Sequence, residues 1–193
     1  MEYKQIRAVY DETTIRVYQA YSHKIANEAL RLGKFGGNFK LTRMTWIKPS
    51  FLWMMYRCGW AIKDAGQNRV LAIDIKRSAF DELVRNAVSS HYYKELGITR
   101  EEWQTQLKNS NIVCQWDPER DIYGNKMEYR SLQIGIRGEA SYKYVNNWIV
   151  QINDITEYVA ELRELKSIDK DLVYAKLPAE KIYPMSNSIS LFS

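Results

Sequence analysis

Alternating apolar and polar residues mark several short segments of the chain as half-buried β-strands. The clearest is 69–75, where Asp74 interrupts a run of apolar residues. The strand at 111–116 is expected to end in a turn at Asp117 and Pro118, because both residue types favour turns. The other predicted strands are 15–21, 42–47, 132–137 and 148–152, with a short extended segment at 5–10.

Apolar residues spaced three and four positions apart predict helices between the strands. Gly33 follows the first helix as a C-cap, and Thr99 with Glu102 forms a capping box at the start of another. The predicted helices are 23–32, 51–57, 78–88, 99–107, 138–146 and 156–166. Strands and helices therefore alternate irregularly, unlike the repeat of a doubly wound parallel sheet.

This order of elements predicts one α+β domain over residues 1–166, with a central, mostly antiparallel or mixed sheet flanked by helices. From 167 to 193 the chain is polar and contains two prolines. We interpret this part as a C-terminal extension that is partly ordered. The sequence has no Gly-x-Gly-x-x-Gly or Gly-Lys-Ser/Thr phosphate loop, which argues against Rossmann and P-loop chemistry.

Composition narrows the class of protein. The longest apolar run, 51–56, is too short to cross a bilayer, and the first residues lack the apolar stretch of a secretory signal, so no membrane partner is expected. Only two cysteines are present, which favours a cytoplasmic location. The two histidines and two cysteines lack zinc-ligand spacing, so no metal is expected. A net charge of +5 favours a nucleotide or nucleic-acid partner only if the positive charge is focused.

The segment 43–57 is the first candidate site because it leads a strand directly into a helix that begins at Pro49 and Ser50. A helix N-terminus carries unpaired N–H groups and binds anions. Cationic side chains nearby would add donors for phosphate, and aromatic rings could stack on a base. The alternative is that the apolar residues of this helix form core. The residues expected to bind a ligand here are Arg43, Trp46, Lys48, Ser50 and Tyr56.

The segment 115–121 is the second candidate site. Asp117 or Glu119 could act as a general base there, or the segment is an Asp-Pro turn with a surface Glu–Arg pair.

The third candidate is the strand within 129–137. Ser131, Gln133, Gly135 and Arg137 share one face of it, whereas the intervening residues point to the core. A glycine in the middle of a strand suggests close approach by a ligand or another backbone. Arg137 then leads into a helix N-terminus, which is a second candidate anion site.

Three stretches of sequence together resemble a known family. They are RAVYDETTIRVYQAY (7–21), RMTWIKPSFLWMMYR (43–57), and QWDPERD (115–121) with YRSLQIGIRG (129–138). They resemble domain-of-unknown-function family 4291, over about residues 5–165. Membership implies little chemistry, since the family has no assigned function.

The order of elements is similar, more distantly, to that of ADP-ribosyltransferases. This resemblance implies NAD as the cofactor and an ADP-ribosyltransferase-like fold. It places Gln19 at the family's His position, Ser50 or Tyr56 at its middle position, and Gln133 at the position of the Glu that orients the ribose hydroxyl. Glutamine keeps hydrogen bonding but lacks the negative charge that stabilises developing positive charge. The resemblance then also implies two alternatives. One is a divergent enzyme that uses Asp117 or Glu119, and the other is a relic that binds nucleotides.

Three functions stay open at the level of sequence. The first is an ADP-ribosyltransferase-like enzyme acting on a nucleic acid or small molecule, in which Arg130 or Arg137 joins Arg43 and Lys48 in binding the diphosphate. The second is a non-catalytic module that binds RNA or DNA through a basic and aromatic cleft. The third is a structural domain whose arginines form internal ion pairs, for example Arg120 with Asp117 or Asp121.

Overall fold

The computed structural model describes residues 3–184, so residues 185–193 of the predicted extension lie outside the described part. The helices within it are α1 (His23–Leu32), α2 (Phe51–Cys58), α3 (Arg77–Asn86), α4 (Arg100–Asn109), α5 (Gly138–Lys143), α6 (Thr156–Leu165) and α7 (Lys170–Lys176). The strands are β1 (Tyr3–Lys4), β2 (Arg7–Ala8), β3 (Thr14–Tyr21), β4 (Thr45–Ile47), β5 (Arg69–Lys76), β6 (Val88–Ser89), β7 (Ile112–Arg120), β8 (Lys126–Ile136), β9 (Ile149–Asp154) and β10 (Lys181–Ile182). The predicted α+β class with mixed sheets and flanking helices is confirmed.

The strands form two principal sheets that meet beside β4. In one, β8 pairs antiparallel with β7 on one edge and, on the other, antiparallel with β4 and parallel with β1, while β6 runs parallel to β7. In the other, β3, β5 and β9 pair antiparallel in that order. The sheets are linked where the Tyr18 N–H of β3 donates to the Lys48 carbonyl, just after β4, at 2.7 Å. The ends of β3, β4, β7 and β8 therefore lie close together.

Both faces of the β3–β5 pair are buried, which explains the continuous apolar run 70–73 in β5. Val17 and Ile73 pack into the larger core with α1, α3 and the apolar face of β7 and β8. Tyr18 and Ala72 point the other way, into a second core with α2, α6 and α7. Strands buried on both sides lose the strict alternation of half-buried ones.

The turn predicted at Asp117 and Pro118 is wrong, because β7 continues to Arg120. Asp117 pairs with Ser131, and Pro118, which has no N–H to donate, lies beside a bulge where the register shifts. The hairpin turn follows at 121–125. There the Asp121 carboxylate accepts hydrogen bonds from the N–H groups of residues 123 and 125.

The segment after residue 166 packs against the rest of the domain as far as the structure describes it. Strand β10 pairs antiparallel with β2. Val173 of α7 is buried in the second core, and Tyr183 is buried in the first. The segment thus contributes to both cores.

Candidate functional site

A cleft of about 720 Å³ opens beside the C-terminal end of β3, the strand β4, and one residue each of β7 and β8. Its walls come from β3, the segment 38–48, the C-terminal half of α2, the turn at 64–67 and the paired strands β7 and β8. Five of the residues selected from sequence line it, and they come from three separate segments. These are Gln19, Arg43, Trp46, Lys48 and Gln133.

Two glutamine amides that share one carboxylate partner form part of the cleft wall. Gln115 and Gln133 are cross-strand partners, so their side chains share one face of the β7–β8 pair. Each donates from Nε2 to Asp117, Gln115 to Oδ1 at 2.8 Å and Gln133 to Oδ2 at 2.6 Å. Because a carboxylate only accepts hydrogen bonds, this contact fixes the amide orientation and leaves each Oε1 as an acceptor.

Gln19 lines the cleft, but protein groups engage both of its polar atoms. The hydroxyl of the buried Tyr144 donates to Gln19 Oε1 at 2.8 Å, and Gln19 Nε2 donates to the Trp46 carbonyl at 3.2 Å. Gln19 is thus a positioning residue that ties β3 to β4 and holds the backbone of Trp46 in place.

The close approach predicted at Gly135 is made by side chains of the protein. Trp46 and Gly135 are cross-strand partners on β4 and β8. A Cβ at Gly135 would lie 2.8 Å from Met44 Sδ and 3.2 Å from the Trp46 ring. Glycine therefore makes room for the indole that forms one wall of the cleft.

Cationic side chains line the mouth of the cleft. Arg43 is exposed, and no described residue accepts a hydrogen bond from its guanidinium. Arg57 and Lys40 are also exposed there, and the Nη1 of Arg57 lies 3.5 Å from Gln67 Oε1. Asp64 is the neighbouring carboxylate, but it accepts hydrogen bonds within its own turn. The cleft therefore favours an anionic ligand.

Lys48 lies deeper and is only 5% exposed. Burial, assisted by the nearby Arg57 guanidinium, lowers the pKa of the Lys48 amine to about 7, against the opposing effect of the Asp117 carboxylate. In the part of the chain that the structure describes, no group accepts a hydrogen bond from the Lys48 amine.

The anion site predicted at the start of α2 is filled by the protein itself. Ser50 is the N-cap, and its Oγ accepts a hydrogen bond from Trp53 N at 3.1 Å. The Phe51 N–H donates to Glu180 Oε1 at 2.6 Å. The carboxyl group of Glu180, from the C-terminal segment, thus occupies the position expected for a ligand anion.

The carboxyl group of Glu180 is enclosed, although the residue as a whole is partly exposed. Burial raises the pKa of Glu180 to about 8 from 4.5, against the opposing hydrogen bond from Phe51, and the neighbouring Glu119 carboxylate adds to the rise. The native state therefore binds this proton more tightly than the unfolded chain does. The stabilising contribution is present in full below pH 4.5 and is lost as the pH rises through 8.

We expect Glu180→Gln to flatten the pH dependence of stability between pH 5 and pH 8. The neutral amide still accepts from Phe51 N but no longer titrates. In the unmodified protein, Glu180 makes the unfolding free energy fall by up to about 1.4 kcal/mol per pH unit in this window. Urea titrations of both proteins at each pH measure the difference, in which contributions from other groups cancel. The same pH dependence in both proteins would refute this role.

Two other residues selected from sequence make their contacts away from the cleft walls. Glu119 is buried, and it accepts hydrogen bonds from Ser131 Oγ and, at 2.8 Å, from Arg120 N. Arg137 donates to three backbone carbonyls around the end of α4 rather than to a ligand position. These belong to Leu107, Lys108 and Ser110.

Tyr56 and Arg130 also lie outside the lining of the cleft. Tyr56 is exposed, and its ring lies 4.0 Å from the Arg120 guanidinium and stacks on Trp53. Arg120 also donates to the Gly124 carbonyl, at 3.2 Å. Arg130 donates to the Trp116 carbonyl at 2.8 Å.

The lining residues that sequence reasoning missed include Lys40, Arg57, Gln67 and Gln115. Gln115 could have been found, because it precedes Asp117 by two positions and so shares its strand face. Lys40 and Gln67 carry no such signal, because their loops reach the cleft only through the tertiary fold.

Comparison with known proteins identifies the family of this chain but no activity. Within residues 3–184, no helix has the length and apolarity to span a bilayer, and no cluster of His, Cys, Asp and Glu is suited to hold a metal ion. No curated protein matches the chain. A family model described as "Domain of unknown function (DUF4291)" matches residues 5–183, nearly the whole chain. The protein therefore belongs to this family of unknown function.

Proposed function

We propose that the protein binds NAD, or a closely related diphosphate nucleotide, in the cleft and transfers ADP-ribose to a nucleic-acid or small-molecule acceptor. The main observation behind the proposal is that residues from separate segments of the chain converge on one cleft. Gln19, the pair Arg43 and Trp46, and Gln133 belong to three segments that lie far apart in sequence, yet all of them line the same cleft.

The cleft suits such a ligand in size and in charge. Its volume of about 720 Å³ lies in the usual range for small-molecule sites. Arg43 at the mouth and Lys48 within would donate charge-assisted hydrogen bonds to the diphosphate. The Trp46 indole would stack on the nicotinamide or adenine ring.

Gln133 and Asp117 would act together at the reactive ribose. NAD supplies a labile bond between nicotinamide and ribose, and positive charge develops on the sugar as that bond breaks. Gln133 Oε1 would accept a hydrogen bond from a ribose hydroxyl, since its Nε2 is held by Asp117 at 2.6 Å. The Asp117 carboxylate, which contacts Gln133, would supply the negative charge that glutamine lacks.

Turnover of NAD by the purified protein tests this assignment. Gln133→Ala and Asp117→Asn are each expected to lower kcat on the order of 10²-fold, because each removes a preorganised electrostatic contact. KM should change less, since the diphosphate contacts remain. Gln104→Ala, an exposed glutamine on α4, is the matched control and should behave as the unmodified protein. Equal turnover in all four proteins, or no NAD consumption with water, oligonucleotide or small-molecule acceptors, would refute the assignment.

The second candidate function, a non-catalytic RNA- or DNA-binding module, is favoured by the exposure of Lys40, Arg43 and Arg57 at the mouth. Three phosphate contacts to single strands predict that log K falls with log salt with a slope of about −2. Oligonucleotide binding with this slope, combined with no NAD turnover, would favour this function over the enzyme.

A further inference from the structure

Lys48 differs from the ion-paired lysines of this structure because its side chain is largely buried and yet lines the cleft. Lys143 and Lys176 form ion pairs at the surface with glutamates, and Lys34 donates to Asn146. Lys48 is 5% exposed and lines the cleft, and no described residue accepts a hydrogen bond from its Nζ. Its Nζ is not among the fully enclosed side-chain atoms that lack a partner in the described residues, so the amine reaches the open space of the cleft, where a ligand can contact it.

The charges nearest to Lys48 do not form a close ion pair with it. Arg57 of α2 repels its ammonium form, and Asp117 of β7 attracts it, but the Asp117 oxygens accept hydrogen bonds from two glutamines. Cys58 of α2 is the third titratable neighbour, and burial raises the pKa of its thiol, which keeps it protonated.

We propose that the Lys48 amine is a covalent binding site for an aldehyde or ketone that also carries an anionic group such as phosphate. The carbonyl requirement follows from the amine, which is the nucleophile that condenses with carbonyls. The anionic requirement follows from Arg43 and Arg57, which line the same cleft. This inference goes beyond nucleotide binding and holds whether or not NAD is the ligand.

The reaction conserves atoms and electrons. The Nζ lone pair attacks the carbonyl carbon, forming a C–N bond while the carbonyl oxygen takes up a proton. Loss of that hydroxyl with an amine proton releases one water and leaves a C=N bond. An amine with a pKa of about 7 is neutral in half of the molecules at pH 7, whereas an exposed lysine is almost entirely protonated.

Pyridoxal 5′-phosphate, an aldehyde with a phosphate group, is the probe for this site. The full-length protein is incubated with it at pH 7, the imine is reduced with borohydride, and the modified lysines are identified by peptide mass spectrometry. We expect the adduct at Lys48 to form at least about tenfold faster than at Lys170, which is exposed and lies outside the cleft lining. Modification of Lys48 no faster than Lys170 would overturn the proposal, and this comparison needs no variant.

Variants supply an independent control. Lys48→Arg and Lys48→Met should both lose the fast adduct, and Lys170→Met should keep it. Circular dichroism establishes that each variant is folded. Fast labelling that persists with unchanged stoichiometry in Lys48→Arg would place the reactive amine elsewhere and refute the proposal.

Discussion

Replacing Tyr183 with alanine is expected to lower the unfolding free energy by about 3–5 kcal/mol, the range for truncating a large buried aromatic residue. Tyr183 is 3% exposed and packs edge-on against Tyr10 and Phe80, at centroid distances of 4.9 Å and 5.4 Å. Its hydroxyl accepts from Arg77 Nε and donates to Asp81. Alanine removes these contacts and leaves a cavity under the C-terminal segment.

Urea denaturation followed by circular dichroism measures this loss, and two further variants separate its causes. Tyr183→Phe keeps the ring and should cost about 1–3 kcal/mol, since Arg77 and Asp81 lose their shared partner. Tyr174→Ala truncates an exposed tyrosine of α7 and should stay within about 0.5 kcal/mol. If Tyr183→Ala cost no more than Tyr174→Ala, the C-terminal segment would not be part of the folded core.

Local signals predicted most of the secondary structure. The helix α1 ends at Gly33, whose φ of 68° is the left-handed conformation that glycine adopts readily. The capping box at Thr99 and Glu102 is present in full. In each case the signal and the structure it specifies lie within a few residues of each other.

Sequence reasoning failed where partners are distant. Strand β10 has two residues and α7 only seven, and both depend on packing against segments far away in the chain. The course of β7 through Pro118 depends on its register with β8, which no local pattern encodes.

In the candidate site, too, some features could be predicted from local sequence and others depend on distant partners. Gln133 was selected from its strand face, and Trp46 and Lys48 from their nearness in sequence to the predicted start of α2. The N-terminus of α2 was predicted to bind a ligand anion, but the group that it contacts is Glu180, which is 129 residues away along the chain from Phe51. Only the tertiary structure distinguishes a site for ligand from one that the protein fills itself.

Arg43→Ala is expected to weaken NAD binding by about 10- to 150-fold, equivalent to roughly 1.5–3 kcal/mol for hydrogen bonds to a charged group. Arg43 is exposed and makes no side-chain hydrogen bond with the described residues, so its removal should leave the fold intact. Arg85→Ala is the matched control, because Arg85 is an exposed arginine of α3 outside the cleft lining and its loss changes the net charge equally.

Calorimetric titration of NAD into the unmodified protein, Arg43→Ala and Arg85→Ala at one ionic strength is the most direct test that the cleft binds a nucleotide. We predict one site per chain in the unmodified protein, the same affinity in Arg85→Ala, and the stated loss in Arg43→Ala. The absence of binding to the unmodified protein, or equal affinity in all three proteins, would contradict the account.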